Sequence, residues 1–273
     1  MTVDIIESVD VEIPYVKRNS DGELPNHAQM FSWEPEFMDM QPSTVRNVRV
    51  ANQKFSIASS GFEYARLDEP PVIDYSDPDQ VKEKYFPKLE ELIKAKLGAS
   101  EVKAFHHVVR NTNYETGMGY TRKHRCPARR PHVDVTSKFA PILMSWDAPD
   151  MLKDVTENGK HWQMVNAWRP LKLIQKSPVT VAHTASMAWE DYLVVPQPEV
   201  GPGTEGFWLQ RPQDPERKHE WWFMDKQTPE EVLLFLQHDS DGAQVIGHTS
   251  FQLPGEAPKE PRESIEVRLF VVY

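Results

Sequence analysis

The stretch Arg130-Pro131-His132-Val133-Asp134-Val135-Thr136 decides how the rest of the chain is read. In an extended strand alternate side chains share a face, so His132 and Asp134 point together into an interior while Val133 points away. That places an imidazole and a carboxylate on one side, two of the three ligands of a 2-His-1-carboxylate facial triad. The pattern H-x-D occurs once in the chain, between β-like runs. Its plain alternative is a hydrogen-bonded histidine in a turn. The second histidine of the triad is taken as His248, in Ile246-Gly247-His248-Thr249-Ser250-Phe251. Such a triad suits Fe(II) and leaves three positions for a bidentate co-substrate and O2.

Outward from this segment the chain reads as mainly β. Short apolar runs at 45–50, 102–109, 139–145, 171–174, 179–181, 192–195 and 265–273 alternate with turn residues, and 23 prolines against 12 glycines shorten any helix. Many short strands between Pro-rich turns predict a barrel or sandwich. One helix is expected early: Asp77 caps it, Pro78 suits its first position, Gln80 completes a capping box and Gly98 ends it. Pro87 should kink that helix. The stretch 228–239 reads either as a helix start or as a buried strand after a turn. No repeat or linker divides the chain, so residues 1–273 are expected as one domain. Residues 1–100 are taken as an extension with one helix and 101–273 as the core with the metal site.

The last segment, Arg262-Glu263-Ser264-Ile265-Glu266-Val267-Arg268, places Arg262, Ser264, Glu266 and Arg268 on one face of a strand. By itself this is a solvated edge. Downstream of a triad it becomes a clamp, because the distal carboxylate of 2-oxoglutarate needs a fixed cation and a second donor. Arg268 lies within the apolar run and is favoured for the direct contact, with Ser264 beside it; Arg262 follows Pro261 and is expected nearer solvent. In Asn166-Ala167-Trp168-Arg169-Pro170, Arg169 reads either as a partner for a carboxylate or as part of a Trp-anchored turn. Trp168, Trp221 and Trp222 are expected to line the mouth of the site with Asn166 and Arg169. The basic run Arg122, Lys123, Arg125, Arg129 and Arg130 either attracts an anionic co-substrate or substrate, or is a solvated loop.

Other chemistries find less support. Gly201, Gly203 and Gly206 fit G-x-G-x-x-G, but Pro202 and the following residues offer no helix N-terminus, so a surface loop is expected. Cys126 is the one cysteine, which excludes an internal disulfide and agrees with a reducing compartment; His124 lies two residues away without a further relay partner. With 41 acidic against 31 basic residues the net charge is -10, which disfavours nucleic acid. The acidic opening lacks a signal-peptide pattern and no apolar run reaches bilayer length, so a cytoplasmic protein with no membrane partner is expected.

Together H-x-D, Asn166–Pro170, the stretch Trp221-Trp222-Phe223 followed by 228–235, His248-Thr249-Ser250-Phe251 and the strand from Arg262 resemble the hydroxylase/desaturase family that includes the fungal gibberellin desaturase and cephalosporin-methoxylation-type proteins. The likeness covers roughly residue 100 to residue 273. It implies a double-stranded β-helix, a jelly-roll or cupin-like barrel with flanking helices. It also implies Fe(II), 2-oxoglutarate and O2, and hydroxylation, desaturation or oxidative cyclisation of a small molecule in secondary metabolism; the reading of Arg169 as a carboxylate partner allows a substrate that carries a carboxylate. His132, Asp134 and His248 match the family's metal positions, and Asn166, Arg169, Ser264 and Arg268 match further motif positions. His183 departs from the pattern, where the family more often carries an acidic residue. The rival readings are a non-catalytic cupin-like binding protein, a barrel holding structural zinc, and a metal-assisted hydrolase.

Overall fold

The computed structural model describes residues 5–26, 35–111, 126–198, 201, 203–255 and 261–273. Its strands are β1 (Ser8–Val16), β2 (Met38–Asn47), β3 (Phe62–Arg66), β4 (Glu101–Arg110), β5 (His132–Val133), β6 (Trp162–Pro170), β7 (Val179–Ala182), β8 (Tyr192–Pro196), β9 (Glu205–Leu209), β10 (Trp221–Phe223), β11 (Glu231–Asp239), β12 (His248–Ser250) and β13 (Ser264–Val272). They form an eight-stranded sheet in the order β1-β2-β10-β7-β12-β5-β9-β8 and a five-stranded sheet in the order β3-β11-β6-β13-β4. Phe62, Trp168, Leu233 and Phe235 of the smaller sheet pack against Val179, Val181 and Trp222 of the larger one, so the two sheets face each other. This is the jelly-roll arrangement expected from the pattern of short strands. No helix among the described residues is long and apolar enough to cross a membrane.

Alternation along β6 and β13 assigns the two faces of the smaller sheet. Val165, Ala167, Ile265, Val267, Leu269 and Val271 turn outward onto Tyr85, Phe86, Leu89 and Ile93 of the early helix. The even-numbered residues turn inward, where Asn166, Trp168, Ser264, Glu266 and Arg268 face the larger sheet. Farther along the same face, Met164, Phe270 and Val272 pack under a helical hairpin. The strand β13 is therefore no solvated edge. It lies between β6 and β4, with Ser264 1% and Glu266 6% exposed.

The early helix begins as expected, with the Asp77 side chain accepting from the backbone N–H groups of Asp79 and Gln80. The reciprocal contact differs, because Gln80 Nε2 donates to Asp77 Oδ2 at 2.8 Å. Before Pro87 the chain makes a π-turn over Val81–Tyr85 and then continues as α1 (Phe86–Leu97), with Gly98 left-handed at its end. Pro87 supplies no N–H to the carbonyl one turn back, and the wider turn absorbs that lost bond.

Several expected strands resolve otherwise. Residues 139–145 belong to a helix, α2 (Ala140–Asp147), because Ala140 and Met144 recur at helical rather than strand spacing and Pro141 sits harmlessly in its first turn. It is followed by α3 (Pro149–Asn158), which buries Met151 and Val155 and ends at left-handed Gly159. Residues 171–174 form no strand, and β2 stops at Asn47, whose side chain caps a 3-10 turn at Val48–Val50. The ambiguous stretch 228–239 becomes β11, buried on both faces. Gly206 stands inside β9 rather than in a surface loop; a Cβ there would lie 2.9 Å from the Val133 carbonyl oxygen. Residues 1–100 supply β1 and β2 to one sheet and β3 to the other. Arg122, Lys123, His124, Arg125 and Pro202 lie outside the described residues.

Arg169 falls on the outer face, opposite to its expected place beside the site. It is buried beside the π-turn that precedes α1: its Nε donates to Tyr85 Oη at 3.1 Å, its Nη1 to the Pro229 carbonyl at 3.0 Å, and its Nη2 to Tyr75 Oη. Both tyrosine rings also lie beneath its guanidinium. Tyr85→Phe should leave this buried cation one acceptor short. The expected loss is about 1–3 kcal/mol of unfolding free energy in urea denaturation, whereas an unchanged midpoint would show that the contact is dispensable.

Candidate metal centre

Two adjacent strands of the larger sheet bring the two histidines together. His248 on β12 is paired directly with His132 on β5, and their ring centroids are 4.2 Å apart. Gly247 makes the approach feasible, since a Cβ there would lie 2.2 Å from Leu209 Cδ1. Asp134 follows just past the short β5 strand and still turns to the same side as His132. One donor atom from each of His132, Asp134 and His248 lies within 4.8 Å of the others. Three mutually perpendicular ligands at about 2.1 Å from a metal stand about 3 Å apart. The 3.6 Å between His132 Nε2 and Asp134 Oδ1 is close to that spacing.

The polar surroundings prepare these atoms. A carbonyl can only accept, so His132 Nδ1 donates to the Arg130 carbonyl at 2.7 Å, which leaves Nε2 unprotonated and facing Asp134. Burial lowers the basicity of both rings, and in His248 the proximity of His132 lowers it further. Both are therefore neutral near pH 7, the form that ligates metal. For Asp134 burial alone would raise the pKa, but the Arg268 charge, the two histidines and the Asn166 hydrogen bond outweigh it and hold the carboxyl well below its usual range. His248 Nδ1, Asn166 Oδ1 and Ser264 Oγ are buried with no hydrogen-bond partner among the described residues. Unsatisfied polar atoms of this kind around a neutral-histidine and carboxylate set fit a bound metal and a polar ligand.

A residue that the sequence pattern did not reveal braces both ligand-bearing segments. The pairing of β11 with β6 slips between Leu236 and His238, which makes Gln237 a bulge. Its Oε1 accepts from the Asp134 backbone N–H at 2.8 Å, while its Nε2 reaches the Ile246 carbonyl at 3.3 Å, two residues before His248.

Arg110, Trp168, Val179, His248, Arg262 and Glu266 line a pocket beside the triad. Arg262 is buried rather than turned to solvent, its Nη1 donating to the Ser177 carbonyl at 2.7 Å and its guanidinium lying 5.3 Å from the Trp168 ring. Arg268 takes a different partner from the one expected: its Nε is 3.1 Å from Asp134 Oδ2 and its Nη2 3.0 Å from Oδ1. Asn166 also reaches the site, donating to Asp134 Oδ2 at 2.6 Å. Trp222 stands opposite Val181, and Val181 opposite His248, so Trp222 shares the triad's face two strands away. Trp221 is excluded from that face and donates to Tyr15 Oη instead. Arg110 and Glu266 are the pocket residues whose roles the sequence left unassigned. Burial pushes the Glu266 carboxyl up to about 7, with the Asp134 charge acting the same way and Arg110, Arg268 and Arg262 acting against it.

The comparisons with known proteins agree with this geometry. Residues 13–272 match a family model described as an oxidoreductase/YMDC permease-like domain. The alpha-ketoglutarate-dependent dioxygenase phiK of a fungal species is 29% identical, over 97% of this chain and 96% of its own length. The hydroxylase/desaturase efuI of Hormonema carpetanum is 30% identical, over 97% of this chain and 95% of its own. Among solved structures, the iron and alpha-ketoglutarate-dependent endoperoxidase NvfI superposes with a TM-score of 0.76 at 20% identity, covering 99% of both chains, and so shares the fold.

Glu266 should register in the pH dependence of stability of the metal-free protein. A carboxyl raised from 4.5 to about 7 on folding keeps its proton while the unfolded chain has lost it, so its contribution is full at low pH and declines as pH rises through 7. Glu266→Gln removes that decline. Thermal unfolding of the chelator-treated proteins should show the variant gaining on the parent between about pH 5 and pH 7 and then levelling; a constant difference across that range would place the Glu266 pKa near its ordinary value.

Proposed function

The chain belongs to the hydroxylase/desaturase family of oxidoreductases, and from that premise we propose that His132, Asp134 and His248 hold the iron of its oxygenase centre. It is an Fe(II)- and 2-oxoglutarate-dependent oxygenase of the class found in fungal secondary metabolism, acting on a small molecule. Bound iron supplies the oxidising chemistry, in which 2-oxoglutarate and O2 become succinate, carbon dioxide and the oxygen equivalent that hydroxylates, desaturates or cyclises a substrate. The observation that carries the metal assignment is the convergence of three neutral or anionic donors, from residues up to 116 positions apart, within 4.8 Å. Structural zinc sites close their coordination with a fourth protein ligand. The triad described here has three, which favours an open, reactive site.

Arg262 with Ser264 is the better candidate for the distal carboxylate of 2-oxoglutarate. Arg262 is buried in the pocket that includes His248, and Ser264 offers an unsatisfied hydroxyl on the same strand face. Arg268 is already engaged by Asp134. Burial strengthens such a charge-assisted pair. Arg110, the second guanidinium of the pocket, offers a partner for a carboxylate on the substrate. Trp168 and Trp222 supply apolar wall, and Trp222 Nε1 is a buried donor open to a polar group of the ligand. The net charge of -10 supports a small-molecule rather than a nucleic-acid substrate, and the whole chain is read as one oxygenase domain working in the cytoplasm.

Two measurements test the assignment. Anaerobic addition of Fe(II) and 2-oxoglutarate should give a weak visible charge-transfer band, absent from His132→Ala and His248→Ala, which should also lose stoichiometric iron binding; tight iron binding by both variants would sink the triad. At saturating metal, Arg262→Gln should raise the 2-oxoglutarate concentration needed for half-maximal succinate release by at least tenfold, about 1.4 kcal/mol, while leaving iron affinity close to that of the parent. An unchanged requirement would return the clamp to another cation.

A further inference from the structure

The interaction of Arg268 with Asp134 has a consequence for the metal rather than for the co-substrate. Arg268 and Asn166 stand opposite each other on β13 and β6, on the inward face of the smaller sheet. Asp134 comes from the larger sheet, just beyond β5. Across this gap two donors converge on one oxygen, Asn166 Nδ2 at 2.6 Å and Arg268 Nε at 3.1 Å from Asp134 Oδ2. The other oxygen, Oδ1, faces His132 Nε2 at 3.6 Å and receives Arg268 Nη2 at 3.0 Å. A free aspartate rotates broadly about its terminal torsion. Here the fork of Arg268 spans both oxygens and Asn166 secures one of them, so the carboxylate plane is fixed before any metal arrives.

We infer that Arg268 and Asn166 are positioning residues that occupy Asp134 Oδ2 with two donors and leave Oδ1, which takes one, as the oxygen that meets the metal, making the carboxylate a one-oxygen ligand. This rests on the triad proposed above. A carboxylate gripping the metal with both oxygens would occupy one of the positions that co-substrate and O2 require. The positive charge of Arg268 next to a divalent cation opposes metal binding, but the geometry it imposes acts in the other direction. A guanidinium reaches both oxygens of a carboxylate at once, whereas an ammonium is a point donor. Lysine in its place keeps the repulsion and loses the fork.

The test uses Co(II) added to chelator-treated full-length protein, read by titration and by the visible ligand-field spectrum of the bound ion. Outer partners of metal ligands typically contribute about 10- to 100-fold in affinity. Arg268→Gln and Asn166→Ala should each weaken Co(II) binding by about that factor and alter band position or intensity, and Arg268→Lys should behave like Arg268→Gln. Thermal unfolding of the metal-free proteins identifies a variant that has not folded. Asn166→Ala, which leaves the ion pair intact, decides the matter if the arginine variants are lost. Affinity and spectrum matching the parent in the folded variants would overturn the inference, as would tighter binding in Arg268→Gln, which would make Arg268 a competitor of the metal. If the parent itself takes up no Co(II), or His248→Ala retains it, the triad fails instead.

Discussion

The carboxylate of Asp134 is the point at which the two sheets are fastened to each other. It leaves one sheet and is received by an amide and a guanidinium of the other. A buried carboxylate without partners costs several kcal/mol, and so does a buried guanidinium. The pair therefore ties the two sheets together near the triad, alongside the surrounding hydrophobic contacts. Gln237 adds a neutral brace from β11 to the backbone of Asp134 and to the segment before His248. Around this centre the apolar side chains divide cleanly. Trp168, Val181, Trp222 and Phe235 fill the gap on one side, and Met164, Phe270 and Val272 meet the α2–α3 hairpin on the other. What is left between them is a polar chamber with three arginines and one carboxyl beside the ligands.

How legible this was in the sequence depends on the range over which each feature is encoded. His132 and Asp134 were readable because two-residue alternation is local, and H-x-D occurs once. The inward face of β13 was readable for the same reason. Parity also holds information that residue identity obscures. Trp221 and Trp222 are adjacent and cannot share a face, and Arg169 has the opposite parity to Asn166 and Trp168, so its outward turn follows from counting. The helix at 140–147 was hidden because its apolar residues are dense enough to satisfy either period. The helix after it was not expected either, although Pro149 at its start and Gly159 at its end were local signals for it.

The partner of Arg268 was not legible at all. Whether that side chain meets a co-substrate or Asp134 depends on how two sheets, built from segments far apart in sequence, are set against each other. No periodicity encodes that spacing. The same applies to Arg262, which the adjoining proline suggested would face solvent and which the sheet packing buries. The bulge at Gln237 is likewise a tertiary event, since nothing in a continuous apolar strand marks the residue that will slip out of register.

The pairing of His248 with His132 also sets an order of events as the chain folds. The two residues are 116 positions apart, and they meet only when β12 has docked beside β5 within the larger sheet. Closing so long a loop is slow compared with forming a helix or a hairpin. No local segment carries two of the three donors except the short one with His132 and Asp134. The emerging chain therefore presents at most two of the three donors, and the proposed metal site is complete only once the barrel has closed.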